Sequence, residues 1–162
     1  MVAVPLCILL LAGMVSLYCY SATSFASVTS YSVLNQKSRY ADDIISRDVR
    51  CAISVDDTTV SNKLVLNTVY GSQVTYFYNS GAGTLVRSDS LQVRQLLTNV
   101  VSLSFSLYQR PTNSAMTYES LPPASPGSTK LVGFTWQCSE RIVGSRSDSQ
   151  NNLAGIVELR NQ

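Results

Sequence analysis

The side chains here that could carry chemistry are few. They are four cysteines, carboxylates at Asp42, Asp43 and Asp48, a second pair at Asp56 and Asp57, and three lysines among many serines. No histidine is present, which removes the commonest general base and the commonest nitrogen ligand of transition metals. A Ser-His-Asp triad therefore cannot form, and Lys37, Lys63 and Lys130 stand in no recognisable Ser-Lys setting. On a helix Asp42, Asp43 and Asp48 diverge, and the interleaved arginines point to a solvated, salt-bridged face rather than a metal site. "VDDTTVSN" offers oxygens around Asp56 and Asp57 without the spacing of a calcium loop. "NSGAG" lacks the lysine and the following helix of a phosphate cradle and reads as a hairpin turn. The expectation is no catalytic residue, no metal site, no cofactor and no enzyme.

The cysteines form two sets. Cys7 and Cys19 lie in an apolar stretch, about 120° apart around a helix and about 18 Å apart along it, so they cannot pair within one helix. They read as small apolar residues. Cys51 and Cys138 lie in the polar part of the chain, and a sheet laid across a helix would let them meet. A disulfide between Cys51 and Cys138 requires Cα atoms within about 7 Å and is worth about 4 kcal/mol on an entropy account.

Positioning these groups falls to one helix and a set of strands. Val2 to Tyr20 carry no charge, and the first charged side chain is Lys37. As a helix, that opening stretch spans roughly 28 Å, close to the hydrocarbon thickness of a bilayer. Pro5 is harmless there, because the first amides of a helix lack intrahelical partners. Three readings compete for the segment. A cleaved signal peptide has small-residue exits after Ala22 or Ala26 but no basic n-region. A lipoprotein signal is spoiled by Tyr18 before Cys19. A retained membrane helix fits the length best.

No proline or glycine interrupts the chain between Gly13 and Gly71. At 100° per residue Tyr31, Leu34, Ser38, Ala41, Ile45, Val49 and Ala52 share a stripe, opposite Arg39, Asp43, Arg47 and Arg50. Arg39–Asp43 and Asp43–Arg47 are expected as i,i+4 pairs. The Ser/Thr-rich stretch from Ser21 to Ser30 has weak helix propensity and is a candidate joint. The simplest reading is one helix to about Ala52, with Tyr31, Leu34, Ala41, Ile45 and Val49 as its packing face.

Strands follow. "VVSLSFSLY" alternates, with Val101, Leu103, Phe105 and Leu107 on one side and serines on the other. "KLVGFTWQC" puts Val132, Phe134, Trp136 and Cys138 on one face. "SQVTYFYNSGAGTLVRSDS" reads as a hairpin closing at Ser80–Gly83, and "KLVLNTV" and "AGIVELR" are shorter strands. The stretch from Arg110 to Lys130 holds four of the five prolines and reads as a surface loop. The fold class is therefore α+β, a long N-terminal helix packed on an antiparallel sheet. Its expected divisions are a transmembrane half at 1–21, an amphipathic half at 22–52 and a β-sheet domain at 53–162. The net charge of +2 has no Lys/Arg cluster, so no nucleic-acid partner is expected.

A helix half in the membrane and half under a small sheet resembles the type IV pilins and type II secretion pseudopilins. "LNQKSRYADDIISRDVRCA" is similar to the minor-pilin and J-type pseudopilin branch, the prepilin-type cleavage/methylation proteins. Leu34, Gln36, Ser38, Arg39 and Ala41 carry the likeness, then Ser46, Arg47, Asp48, Val49 and Arg50. "GTLVR" and "VVSLSFSLYQR" resemble the family's sheet. The family opens with a basic leader, a Gly before the cleavage point, an aromatic N-terminus and a nearby glutamate. None of these stands here, and "MVAVPLCILLLAG" resembles the segment just after that glutamate. Either the true start lies further upstream or the processing site has been lost.

The resemblance implies a structural subunit, single-pass in the inner membrane with its C-terminal domain in the periplasm, assembled by helix packing into a pilus or pseudopilus. Its implied partners are other pilin or pseudopilin subunits, membrane lipid and, if an upstream leader exists, a prepilin peptidase. The alternative is an exported, signal-cleaved β-rich binding domain.

Overall fold

A computed structural model describes residues 3–69, 71–110, 121–141 and 148–159 of the chain. Helix α1 runs unbroken from Ala3 to Cys51, 49 residues or roughly 74 Å of rod. Pro5 sits in its first turn, where no backbone bond is lost. The Ser/Thr-rich stretch stays helical. Thr23 Oγ1 donates to the carbonyls of Cys19 and Tyr20, and Thr29 Oγ1 donates to that of Phe25. These back-bonds turn the hydroxyls onto the helix's own carbonyls. Past Cys51 the chain becomes extended at once, where the β-branched Ile53 and Val55 favour a strand.

The strands form two antiparallel sheets, not the single sheet expected. The first is a five-stranded meander of β1 (Ala52–Val55), β2 (Lys63–Thr68), β3 (Gln73–Asn79), β4 (Thr84–Ser88) and β5 (Val93–Leu97). The second contains β6 (Val100–Tyr108), β7 (Leu131–Arg141) and β8 (Asp148–Glu158). The break falls at Asn99, whose φ of 58° turns the chain out of the first ladder, a conformation Asn tolerates better than most residues. Val100 N–H donates to the Gly83 carbonyl and Ser139 N–H to that of Asn99, which ties the sheets together at the break.

The β3–β4 hairpin closes over residues 80–83 as expected, with Asn79 Oδ1 accepting from the N–H groups of Gly81 and Ala82. Two expectations shift. A bulge between Val100 and Ser102 puts Val100 into the core and leaves Val101 59% exposed, so the buried face of β6 is Val100, Leu103 and Phe105. β8 begins at Asp148, six residues before "AGIVELR", because β7 supplies a ladder along its whole length whatever the propensity of "DSQNN". Of the proline-rich loop, residues 111–120 lie outside the described residues, and Pro126–Ser128 form a 3-10 turn.

A single apolar core takes side chains from α1 and from both sheets. The helix contributes Leu34, Ala41, Ile44, Ile45 and Val49, all buried, with Ser38 among them. Tyr31, expected at the head of this face, is half exposed. It lies one turn before Leu34, where the helix first meets the sheets. Trp136 stacks on Phe134 with centroids 5.2 Å apart, and both are buried under the helix. Gly155 makes room for the Phe134 ring, since a Cβ at 155 would lie 2.6 Å from Phe134 Cζ.

That contact yields a stability prediction. Gly155→Ala must displace a ring locked in the core and should cost about 1–3 kcal/mol. Gly127→Ala, with nothing within 4 Å of its Cβ position, should change stability by less than about 0.5 kcal/mol. Chemical unfolding of the two variants followed by tryptophan fluorescence checks this; equal effects would contradict the packing described.

Candidate functional site

The front of α1 is bare. Its most apolar 18-residue window has a mean hydropathy of 2.1 and none of it is buried. Val4, Leu6, Ile8, Leu9, Leu10 and Leu11 are each more than half exposed, as are Met14, Val15 and Leu17. By length and composition this helix is able to cross a membrane. Tyr18 and Tyr20, both about three-quarters exposed, close the segment with amphipathic rings of the kind that sit at membrane–water boundaries. Exposure continues through Phe25, Val28 and Val33. The packed part of the helix begins at Leu34, well past residue 22 where the amphipathic half was expected to start.

Two polar contacts hold the rear half in one register. Trp136 Nε1–H donates to Ser38 Oγ at 3.2 Å in a buried setting. At the other end Asp48 Oδ2 accepts from Tyr76 Oη and from Arg87 Nε, each at 2.7 Å. Arg87 Nη1 also pairs with Asp89. Tyr76 comes from β3, Arg87 from β4 and Asp89 from the β4–β5 turn, so one helix side chain fastens two strands of the first sheet directly and the β4–β5 turn through Arg87.

The chemistry of this network follows from its surroundings. Burial pushes the Tyr76 hydroxyl well above its usual range, and the neighbouring Asp48 carboxylate adds to the shift. Burial opposes the charge on Arg87, yet hydrogen bonds to Asp48 and Asp89 outweigh it and hold the guanidinium above its ordinary value. Asp89 is drawn down to about 2 by the backbone N–H of Leu91, then by Arg87 and the N–H of Gln92. Tyr76 and Arg87 thus stay protonated and Asp89 ionised at neutral pH, which suits a structural clamp better than proton transfer.

The sequence placed Asp48 on the solvated face with Asp42 and Asp43. Its side chain is only 12% exposed, and it is the residue the sequence reading missed. The signal was available: Asp48 lies three residues after Ile45 and one before Val49, on the flank of the buried stripe. Asp43 is exposed and makes neither expected i,i+4 pair with Arg39 or Arg47, and Arg47 reaches Asp48 Oδ1 at 3.6 Å instead. Asp42 accepts from Ser46 Oγ. Asp56 caps a turn through the N–H and hydroxyl of Thr58 and takes Gln73 Nε2 on its second oxygen. Among the described residues no group of three or more His, Cys, Asp or Glu could hold a metal ion.

The proposed Cys51–Cys138 disulfide is not formed, and all four cysteines are free thiols. Cys138 is buried on β7 beside Ser38, where burial raises its thiol pKa and Ser38 partly offsets that. Ser38 and Cys51 are 13 residues apart on α1, about 20 Å along the axis, so the sheet crosses the helix too far forward for the pair to meet. Cys51 is exposed at the helix end, and Cys7 and Cys19 are exposed on the bare half.

No protein-family model matches this chain, and no curated protein matches it. Architecture carries the comparison instead: an unpaired apolar half and a rear half packed on antiparallel sheets, within one helix. The architecture is pilin-like.

The clamp makes acid stability testable. Because the folded Asp89 titrates at about 2 against an ordinary 3.8, its contribution is complete above the ordinary value and is lost as pH falls from about 4 to about 2. Thermal unfolding across that range should fall more steeply for the native chain than for Asp89→Asn. Parallel slopes would show that Asp89 does not belong to the clamp.

Proposed function

We propose that this protein is a structural subunit of a type IV pilus or type II secretion pseudopilus, held in the inner membrane by the front of α1 with its sheets in the periplasm. One observation carries the reading. A single unbroken helix has nine large apolar side chains bare at its front and a fully packed stripe at its rear. A bare apolar rod of membrane-spanning length is stable only in lipid or against other apolar helices. Assembly is the exchange of the first for the second. Lipid-facing side chains turn to neighbouring rods, driven by close packing rather than by water, while the sheets and their loops choose which neighbours fit. Its partners on this reading are membrane lipid and other pilin or pseudopilin subunits, with a prepilin peptidase acting on any upstream leader.

The exported, signal-cleaved reading fares less well against one feature. Ala22 and Ala26, its expected exits, lie inside continuous helix, with ordered turns on both sides. A retained helix predicts that the front segment stays on the mature chain and that the protein leaves membranes only with detergent. Alkaline carbonate extraction with N-terminal sequencing of the extracted protein tests this. A soluble product starting just after Ala22 or Ala26 would overturn the proposal.

A further inference from the structure

The bare face of α1 does not end at its boundary tyrosines. Leu17, Tyr20, Phe25 and Val28 line one shallow apolar hollow, with Ser21 and Ser24 between them, and Phe25 is 71% and Val28 67% exposed. At 100° per residue the four bulky side chains share one side of the helix, while Ala22, Ala26 and Ser30 fall on the other. Close contact between helices in lipid favours small residues, so the bulky side suits lipid and the small side a neighbouring rod. No charged side chain interrupts the surface before Lys37. Thr23 and Thr29 donate their hydroxyls to carbonyls of the same helix, so these groups keep a partner where water is scarce. An upright rod would nevertheless leave Val28 in water. It lies about 12 Å beyond Tyr20 along the axis, and the headgroup zone of one leaflet is only about 5–8 Å deep.

We infer that α1 crosses the bilayer tilted toward its bulky side, with Phe25 and Val28 seated among the lipid headgroups of the leaflet nearest the sheets. A tilt of about 30°, within the usual range, brings both side chains into that zone and lifts Ala22, Ala26 and Ser30 away from it. The occupant is lipid because the hollow continues the membrane-facing surface without a break, from Leu17 through Tyr20 to Val28. It also presents bulk where helix packing needs closeness. The contact is apolar and uncharged, so zwitterionic lipid serves as well as anionic lipid and salt does not weaken it. The inference rests on the membrane anchor of the proposed function and adds the orientation of the rod and the side chains that set it.

The test uses the full chain, one copy per phosphatidylcholine nanodisc, and measures iodide quenching of bimane on a single accessible cysteine. The label sits at Ala22→Cys on the small side, at Ser24→Cys on the bulky side, at Leu10→Cys in the apolar segment or at the native Cys51, the other exposed cysteines being replaced by Ala. Ser24 lies farther along the axis from the bilayer than Ala22, so an upright rod makes Ser24→Cys the more strongly quenched. The tilted rod reverses the order, with Ala22→Cys quenched about twofold more than Ser24→Cys. Adding Phe25→Ser with Val28→Ser should restore the upright order. The inference is overturned if Ser24→Cys is the more quenched in the native background, if the reversal survives the double substitution, or if it requires anionic lipid. A reversal found only in discs holding several chains would also overturn it, by naming a neighbouring rod as the cover. Failure of the membrane anchor itself reads differently: Leu10→Cys is then quenched as strongly as Cys51, and Ala22→Cys and Ser24→Cys are quenched alike.

Discussion

The constraint behind this structure is the continuity of α1. Its front presents nine large apolar side chains with nothing over them. At about 1.5–3 kcal/mol for each full burial, and allowing for their partial exposure, leaving them in water costs on the order of 10–20 kcal/mol. That is as large as the whole folding stability of a typical domain, about 5–15 kcal/mol. The front must therefore have a cover, and a rigid helix transmits that requirement to everything attached behind it. The placement of the sheets at the rear end, clear of the first thirty or so residues, is what leaves the cover to something outside the domain.

The rear half answers a different demand. An apolar stripe of Leu34, Ala41, Ile45 and Val49 supplies attraction but little register, because apolar contact is non-directional. Direction comes from two polar contacts near the ends of the stripe, Ser38 with Trp136 and Asp48 with Tyr76 and Arg87. A slide of the rod by one turn would leave Ser38, Trp136 and Asp48 with buried groups unpaired, at about 1–3 kcal/mol or more each. The sheets are thus keyed to a fixed length of exposed helix. In a subunit that meets its neighbours along the rod, that length sets how far the sheet domains stand from the lipid.

Much of this was legible in the residues. The rod, its stripe from Leu34 to Val49, the Ser80–Gly83 hairpin and strands β2, β6 and β7 all follow from periodicity and the spacing of glycine and proline. What was not legible depended on partners far along the chain. β1 and β5 are short and unalternating, and exist because β2 and β4 offer them ladders. The division into two sheets turns on the left-handed backbone of one residue, Asn99. Val101 was misplaced because a bulge leaves no mark in an alternating run. Asp48 looked like its solvated neighbours because its partners lie 28 and 39 residues away. Cys51 and Cys138 failed to meet because the point where the sheet crosses the helix is a tertiary fact.

The most direct test of the rod's two environments uses its own thiols. Cys7 and Cys19 sit on the bare front and Cys51 at the exposed end of the packed half, so a bulky, charged maleimide applied to the chain in native vesicles should separate them. With the vesicles opened so that both membrane faces are accessible, peptide mapping should find Cys51 modified. Cys7, two and a half turns or more inside the boundary tyrosines, should remain free until the lipid is dissolved and the protein denatured. Labelling of Cys7 in intact lipid at the rate of Cys51 would place the front of the helix in water and contradict the account.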